Sequence, residues 1–330
     1  MYCPTPFRIL LIVCLAVFAA APLRANDKQP WNDWQSALLT DHPLTGKIWS
    51  IRDKRFVRPE VLAKAVANAR FVLLGEVHDN PDHHTLQAWL IERAAADRKP
   101  AVVMEMISRD KADALRTYLA KPEATAAGLG KALKWKDRGW PDWRIYQPIA
   151  EASLQLKLPL RAGDIDRPTL RKVGKGGLDE LGADVRASLL LDTPLGTALE
   201  EALLDELYES HCQLMPRDAM AGMLHVQRLR DAVLADSVID AAGNESAILI
   251  AGNGHVQADR AVPWYLTRRA PDARIASVML LEADQSAKAP GDLIPKSPDG
   301  QPVADFVWFT PRVDREDPCE QLRKRFGKPR

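Results

Sequence analysis

Beyond its first residues, this sequence has no long apolar run, no excess of charge, no internal repeat and almost no cysteine. Its 45 basic residues stand against 44 acidic ones, so it lacks the basic surplus of a nucleic-acid binder. The basic cluster of Arg323, Lys324 and Arg325 reads as a solvated chain end rather than a binding patch. No fixed-period repeat, heptad run or long low-complexity tract is present, and no His-x-x-x-His spacing announces a metal site. Of four cysteines, only Cys212 and Cys319 lie beyond residue 25. A bridge between them and two separate thiols are both open, because sequence does not show whether their Cβ atoms meet.

The one apolar stretch, residues 9–21, follows Arg8 and ends in small residues up to Ala25. A positive start, a short hydrophobic run and a small-residue end form the pattern of a cleavable secretory signal over residues 1–25. The run is shorter than the ~20 residues of a spanning helix. Val13 before Cys14 is wrong for lipid attachment, which argues against a lipoprotein. Losing the leader removes Arg8 and Arg24 and no acid, leaving one acid in excess. The expectation is a soluble periplasmic or secreted protein, with residues 26–330 as one domain.

Within that region short apolar runs alternate with stretches of helical period. The runs are 71–74, 101–104, 159–162, 247–251 and 277–281. Apart from Arg161 and Ser277, each is apolar at consecutive positions, as in strands covered on both faces. Between them, Leu86, Trp89, Leu90 and Ala94 recur at helical spacing, with Asn80 and Pro81 as cap and first position. Met223, Val226, Leu229 and Val233 mark a second amphipathic helix. This rhythm predicts an α/β fold, a mostly parallel sheet with helices on both faces. Two excursions interrupt it: a Gly-, Lys- and Trp-rich stretch over 123–143, predicted as a loop or lid, and a Pro/Gly-rich stretch over 290–302. A last apolar run stands at 306–309.

The residues just after each run suggest the chemistry. After 71–74 comes Gly75-Glu76-Val77-His78; Glu105 comes directly after 101–104; Gly163-Asp164-Ile165-Asp166 comes after 159–162; Gly252-Asn253-Gly254-His255 comes after 247–251. Parallel sheets place their functional crevice outside the carboxyl ends of strands, so four such endings predict one shared site. Glu76 and His78, two apart on extended backbone, share a face; a plain structural hydrogen bond is the bland alternative. Glu105, after four apolar residues, needs a cationic or imidazole partner. Of the adjacent His83 and His84, only one is expected to point inward. His42, His211 and His225 read as surface or satisfied residues. Trp135, Trp140, Trp143 and Tyr146 read either as ordinary packing or as walls of a binding site.

The segments from Gly75 to His84, Glu105, Trp143 with Tyr146 and Pro148, Gln227-Arg228-Leu229-Arg230-Asp231-Ala232, and Gly252-Asn253-Gly254-His255-Val256 resemble, in order, the ChaN-like family of iron-regulated haem-binding proteins of bacterial envelopes. The resemblance runs from about Trp49 to Phe309. It implies haem as cofactor, often bound by a dimer, and a role in haem or iron acquisition with an envelope receptor or transporter as partner. It also implies a tyrosine ligand with a nearby histidine, for which Tyr146 is the first choice among Tyr118, Tyr146, Tyr208 and Tyr265. A tyrosinate suits ferric iron. The remaining cofactor-binding candidates are His78, His83, His84, His255 and Trp143. The sequence departs from many relatives in lacking a lipid-attachment cysteine, and in its acidic Asp164 and Asp166.

The same Gly-Glu-x-His and Gly-x-x-His elements resemble a wider group containing erythromycin esterases and Tiki-type metalloproteases. That resemblance implies a hydrolase alternative, in which Glu76, His78, Glu105 and His255 are catalytic or hold a divalent metal such as zinc.

Overall fold

The computed structural model describes Met1 and residues 29–326; beyond Met1, the expected leader lies outside the described residues. Eight strands form one sheet: β1 Ile48–Ser50, β2 Arg55–Val57, β3 Phe71–Glu76, β4 Ala101–Ser108, β5 Leu160–Asp164, β6 Ala247–Gly252, β7 Ile275–Glu282 and β8 Phe306–Thr310. Their spatial order is β2-β1-β8-β7-β3-β6-β4-β5. The six strands from β8 to β5 are parallel. β1 runs antiparallel to both β2 and β8, making an edge hairpin that the sequence did not announce.

The helices are α1 Pro59–Asn68, α2 Pro81–Ala94, α3 Ala112–Leu119, α4 Ala126–Ala132, α5 Trp143–Gln155, α6 Arg167–Gly176, α7 Ala183–Ser188, α8 Thr197–Ser210, α9 Ala221–Ala242, α10 Val262–Arg269 and α11 Pro318–Phe326. The run 71–74 is apolar throughout because both faces of β3 are covered. Val72 and Leu74 join a core with Leu86 and Leu90 of α2 and Ile149 of α5. Phe71 and Leu73 point the other way, toward Leu229 and Val233 of α9 and Leu266 of α10. Each such side chain, fully withdrawn from water, contributes about 1.5–3 kcal/mol.

This layering fixes where a site can form. The connection leaving β3 passes through α2 on one face toward β4. The connection leaving β6 passes through α10 on the other face, to β7 beyond β3. β3 and β6 are neighbours, so their chains part in opposite directions at their carboxyl ends and leave a crevice there. Glu76 and Gly252 are register partners at that point.

Two local expectations need correction, and one open alternative is resolved. The stretch 123–143 is not a loop: it folds as α4, a 3-10 turn at Trp135–Arg138 and the start of α5. Trp135 and Trp143 are buried there, each with its indole N–H satisfied by a carbonyl. His83 and His84 are both buried, not one buried and one solvated. Cys212 and Cys319, left open by the sequence, are joined in a disulfide across 107 positions, tying α11 to the end of α8.

Candidate functional site

The site begins with glycine. A Cβ on Gly75 would collide with Asn253 and Val256, so its absence lets the loop after β6 close against β3. The next residue, Glu76, turns its carboxylate into the protein. Its Oε1 accepts from His78 Nδ1 at 2.7 Å, and the Tyr146 hydroxyl lies 3.3 Å from the same atom and 3.0 Å from the His78 carbonyl. His84 Nε2 sits 3.4 Å from Glu76 Oε2, without hydrogen-bond geometry; its ring packs on Tyr146 with centroids 4.1 Å apart. His83 is structural: its Nδ1 accepts from the Val77 amide at 2.8 Å, so Nε2 carries the proton and donates to Thr310 Oγ1 at 2.8 Å. The Asn80 cap, accepting from the amides of Asp82 and His83, starts α2 so that both rings face inward. That is why neither imidazole is solvated.

A second group sits beside the first. Glu105 accepts from the Gly252 amide at 2.7 Å and from Arg230, which also donates through Nε to Asp164 at 2.9 Å. His255 Nδ1 lies 2.6 Å from Asp231, with the Gln227 amide 3.1 Å away. The two remaining imidazole nitrogens flank one atom: Glu105 Oε1 is 3.6 Å from His255 Nε2 and 3.8 Å from His78 Nε2. All four strand endings therefore meet, as expected. Asp166 does not join them; it caps α6 through the Thr169 amide.

Burial by itself would raise the pKa of both glutamates, but the neighbouring histidines and Arg230 outweigh it. His84 and His78 hold Glu76 well below the usual carboxylate range. His255, Arg230 and His78 do the same for Glu105. Burial would lower the histidines, yet Glu105 and Glu76 raise His78, and Glu105 and Asp231 lift His255 to about 9. Burial, with Glu76 and Glu105 adding to it, raises the Tyr146 phenol far above its ordinary value. Expected to face the crevice, Tyr146 is instead wholly buried, a neutral group behind Glu76.

The side chain that reaches the crevice is His78, 32% exposed, with Trp140 resting against it at 4.8 Å between ring centroids. Beside them opens a cavity of about 490 Å³ bordered by Glu105, Asp164, Arg230, Arg138 and Trp140. The outer end of the β3–α2 loop is pinned by Arg315, which pairs with Asp79 at 2.7 Å and with Glu282. Among the described residues, no group of three or more His, Cys, Asp or Glu side chains is arranged to hold a metal ion.

The family model described as "Haem-binding uptake, Tiki superfamily, ChaN" matches residues 62–266, more than half of the chain. The chain belongs to this family. Among solved structures, ChaN of Campylobacter jejuni, described as showing cofacial haem binding, is similar at a TM-score of 0.62 and 18% identity. The match covers 79% of this chain and 95% of that one, and it shows the shared fold. An erythromycin esterase, EreC, matches at a TM-score of 0.38 and 17% identity, over 81% of this chain and 83% of that one. No curated protein gives a significant match.

Arg230 and Asp231 stand out in the sequence only as part of the family's motif. A physical signal for them is also present: two adjacent charges among Leu229, Ala232, Val233 and Leu234 must lie in or beside a buried face, where charge requires a partner.

Proposed function

We propose that this ChaN-family chain carries haem in the bacterial envelope, holding it at the crevice beside β3, β6, β4 and β5, with His78 as the group offered to the iron. One observation carries the reading. His78 Nδ1 is committed to Glu76 in the core, while Nε2 has no hydrogen bond among the described residues and sits at the crevice. An imidazole fixed by a carboxylate at one nitrogen and open at the other is how proteins present histidine to a metal. Tyr146 fits that role less well. Its hydroxyl is wholly buried and turned to Glu76 and the His78 carbonyl, away from the crevice. In this reading Tyr146 positions Glu76, and Glu76 orients His78. Haem is cargo, and the protein's part is to bind, orient and shield it.

The envelope location is supported by the signal pattern over 1–25 and by the Cys212–Cys319 disulfide, a bond favoured in oxidising compartments. Among the described residues no helix is long and apolar enough to cross a membrane. Haem transfer to an envelope receptor or transporter is the role this implies. The cofacial haem binding described for the Campylobacter jejuni relative supports a homodimer, because one crevice per chain stacks two haems only when two chains meet.

Titrating ferric haem into the leader-free protein tests the reading. Saturable binding at low micromolar concentration or tighter, lost in His78→Ala and kept in Tyr146→Phe, is expected. Loss in Tyr146→Phe with retention in His78→Ala would return the ligand role to Tyr146. Weak, unsaturable binding by the wild type would end the carrier reading.

A second reading rests on a different observation: His78 and His255, each backed by a carboxylate, flank Glu105 from two sides. That arrangement suits acid–base chemistry on water, the hydrolase alternative without a metal. An ester or amide substrate cleaved by the wild type and not by His255→Ala would establish it.

A further inference from the structure

On the other side of Trp140 lies a second cavity, of about 530 Å³, bordered by Lys131, Lys134, Lys136, Trp135, Trp140 and Trp143. Its size falls within the ~300–1,000 Å³ of small-molecule sites. The two cavities share Lys134, Asp137 and Trp140 as border residues, so the indole that rests on His78 is also the partition between them.

The chemistry of this groove is specific. The indole nitrogens of Trp135 and Trp143 donate to the carbonyls of Pro141 and Ala126, at 2.7 and 2.8 Å. The little surface these two buried rings turn to the groove is apolar, with no donor seeking a partner, and the half-buried Trp140 supplies the broader ring. Around it stand three exposed lysines. Two carboxylates also border the groove, but Asp142 is occupied, capping α5 and accepting from the Arg144 guanidinium at 3.1 and 3.0 Å. Against the remaining Asp137, the lysines leave an excess of two positive charges. Lys134 adopts a left-handed conformation, φ 51° and ψ 47°, at the turn into Trp135. Such backbone is disfavoured for a residue with a side chain, and here it sets Lys134 on the border common to both cavities.

We propose that this groove takes the carboxylate edge of the porphyrin, with Lys131, Lys134 and Lys136 meeting the two propionate groups and Trp140 lying along the ring. A planar dianion with a broad apolar face matches a groove that sets the half-buried Trp140 indole beside two positive charges in excess. The body of the ligand then runs toward Trp140 and His78. This inference rests on the haem reading and adds the subsite that orients the ligand.

The test uses the leader-free protein, ferric haem, metal-free deuteroporphyrin and haem dimethyl ester, in which both carboxylates are blocked. The wild type is compared with the triple variant Lys131→Glu, Lys134→Glu, Lys136→Glu, with folding checked by circular dichroism. Expected is a loss of at least about tenfold in affinity for both free-acid porphyrins, with the dimethyl ester bound equally by both proteins. Wild-type affinity for the free acids also falls as salt rises, a readout that needs no variant. Equal haem affinity in wild type and triple variant, with no salt dependence, would overturn the lysine subsite and leave the haem reading standing. Failure of the wild type to bind haem saturably would remove the haem reading, and failure to bind the metal-free porphyrin as well would remove the groove subsite with it. Binding of the metal-free porphyrin in that case would retain the groove as a site for dicarboxylate porphyrins.

Discussion

Glu76 and His78 form the hinge of the site: the 2.7 Å contact from Nδ1 to Oε1 fixes the ring from the core side and leaves Nε2 at the crevice. Replacing Glu76 with Gln keeps the shape and removes the charge. Because Glu76 helps to raise the His78 pKa, that pKa falls in Glu76→Gln, which NMR titration of the imidazole will show. With the ring no longer locked by an anion, ferric haem affinity is expected to drop roughly 10–100-fold, as when the outer partner of a ligating histidine is removed. An unchanged affinity would mean that Glu76 does not orient the ligand.

Arg230 is the counter-ion of two buried carboxylates, Glu105 and Asp164. Arg230→Ala strands both beneath the crevice, and removing one partner of a buried pair costs about 3–5 kcal/mol. Urea unfolding measures the loss directly. Adding Glu105→Gln to the same chain removes one stranded charge, so the double variant is expected to be more stable than Arg230→Ala. If it is less stable, the ionised state of Glu105 is not the source of the cost.

The strand endings were legible because the sheet buries both faces: Phe71 to Leu74 can be apolar at every position only in a covered strand, and Glu76 at the end of such a strand needs a site or a partner. The carboxyl-end rule then gathered Glu76, Glu105, Asp164 and His255 without knowledge of strand order. The packing of helices was not legible in the same way. Arg230 borders the crevice and Asp231 backs His255 because α9 lies beneath β4, β5 and β6, and His83 is fixed by Thr310, which β8 brings from more than two hundred residues away. Tyr146 sits on α5, a helix whose inward face is set by packing on α2. Its residue type invited a ligand role, while its depth makes it a support for Glu76.

The Cys212–Cys319 bond closes a loop of about a hundred residues, and the chain entropy it removes from the unfolded state is worth roughly 4–5 kcal/mol, with measured effects of about 2–5 kcal/mol. Cys319→Ser is therefore expected to lower unfolding stability by about 2–5 kcal/mol. Reductant should bring the wild type down to the same level and leave the variant unchanged. A wild type indifferent to reductant would show that the bridge adds nothing beyond the contacts of Arg315 with Asp79 and Glu282.

His83 makes the clearest pH prediction, because its neutral form is built into the fold. Burial lowers its pKa to about 3, against ~6.5 in the unfolded chain. The unfolded state thus takes up a proton that the folded state refuses, and stability falls as pH drops below about 6.5. The paired glutamates and histidines of the site leave this window clear, while Asp231 and Asp305, raised by burial, give contributions that grow as pH drops and so have the opposite slope. His78 and His255 are raised in the fold, so their contributions are fully present below about 6.5 and are lost only as pH rises. Glu76 and Glu105 are depressed, and theirs are lost only below the ordinary carboxylate range. Between pH 6.5 and 5 the wild type should lose about 1.5 kcal/mol of unfolding free energy through this one residue. His83→Gln can still accept from the Val77 amide and donate to Thr310, but it does not titrate. It should therefore lack this fall over the same interval, whatever its absolute value; an equal slope in both proteins would mean that His83 is not the group that titrates.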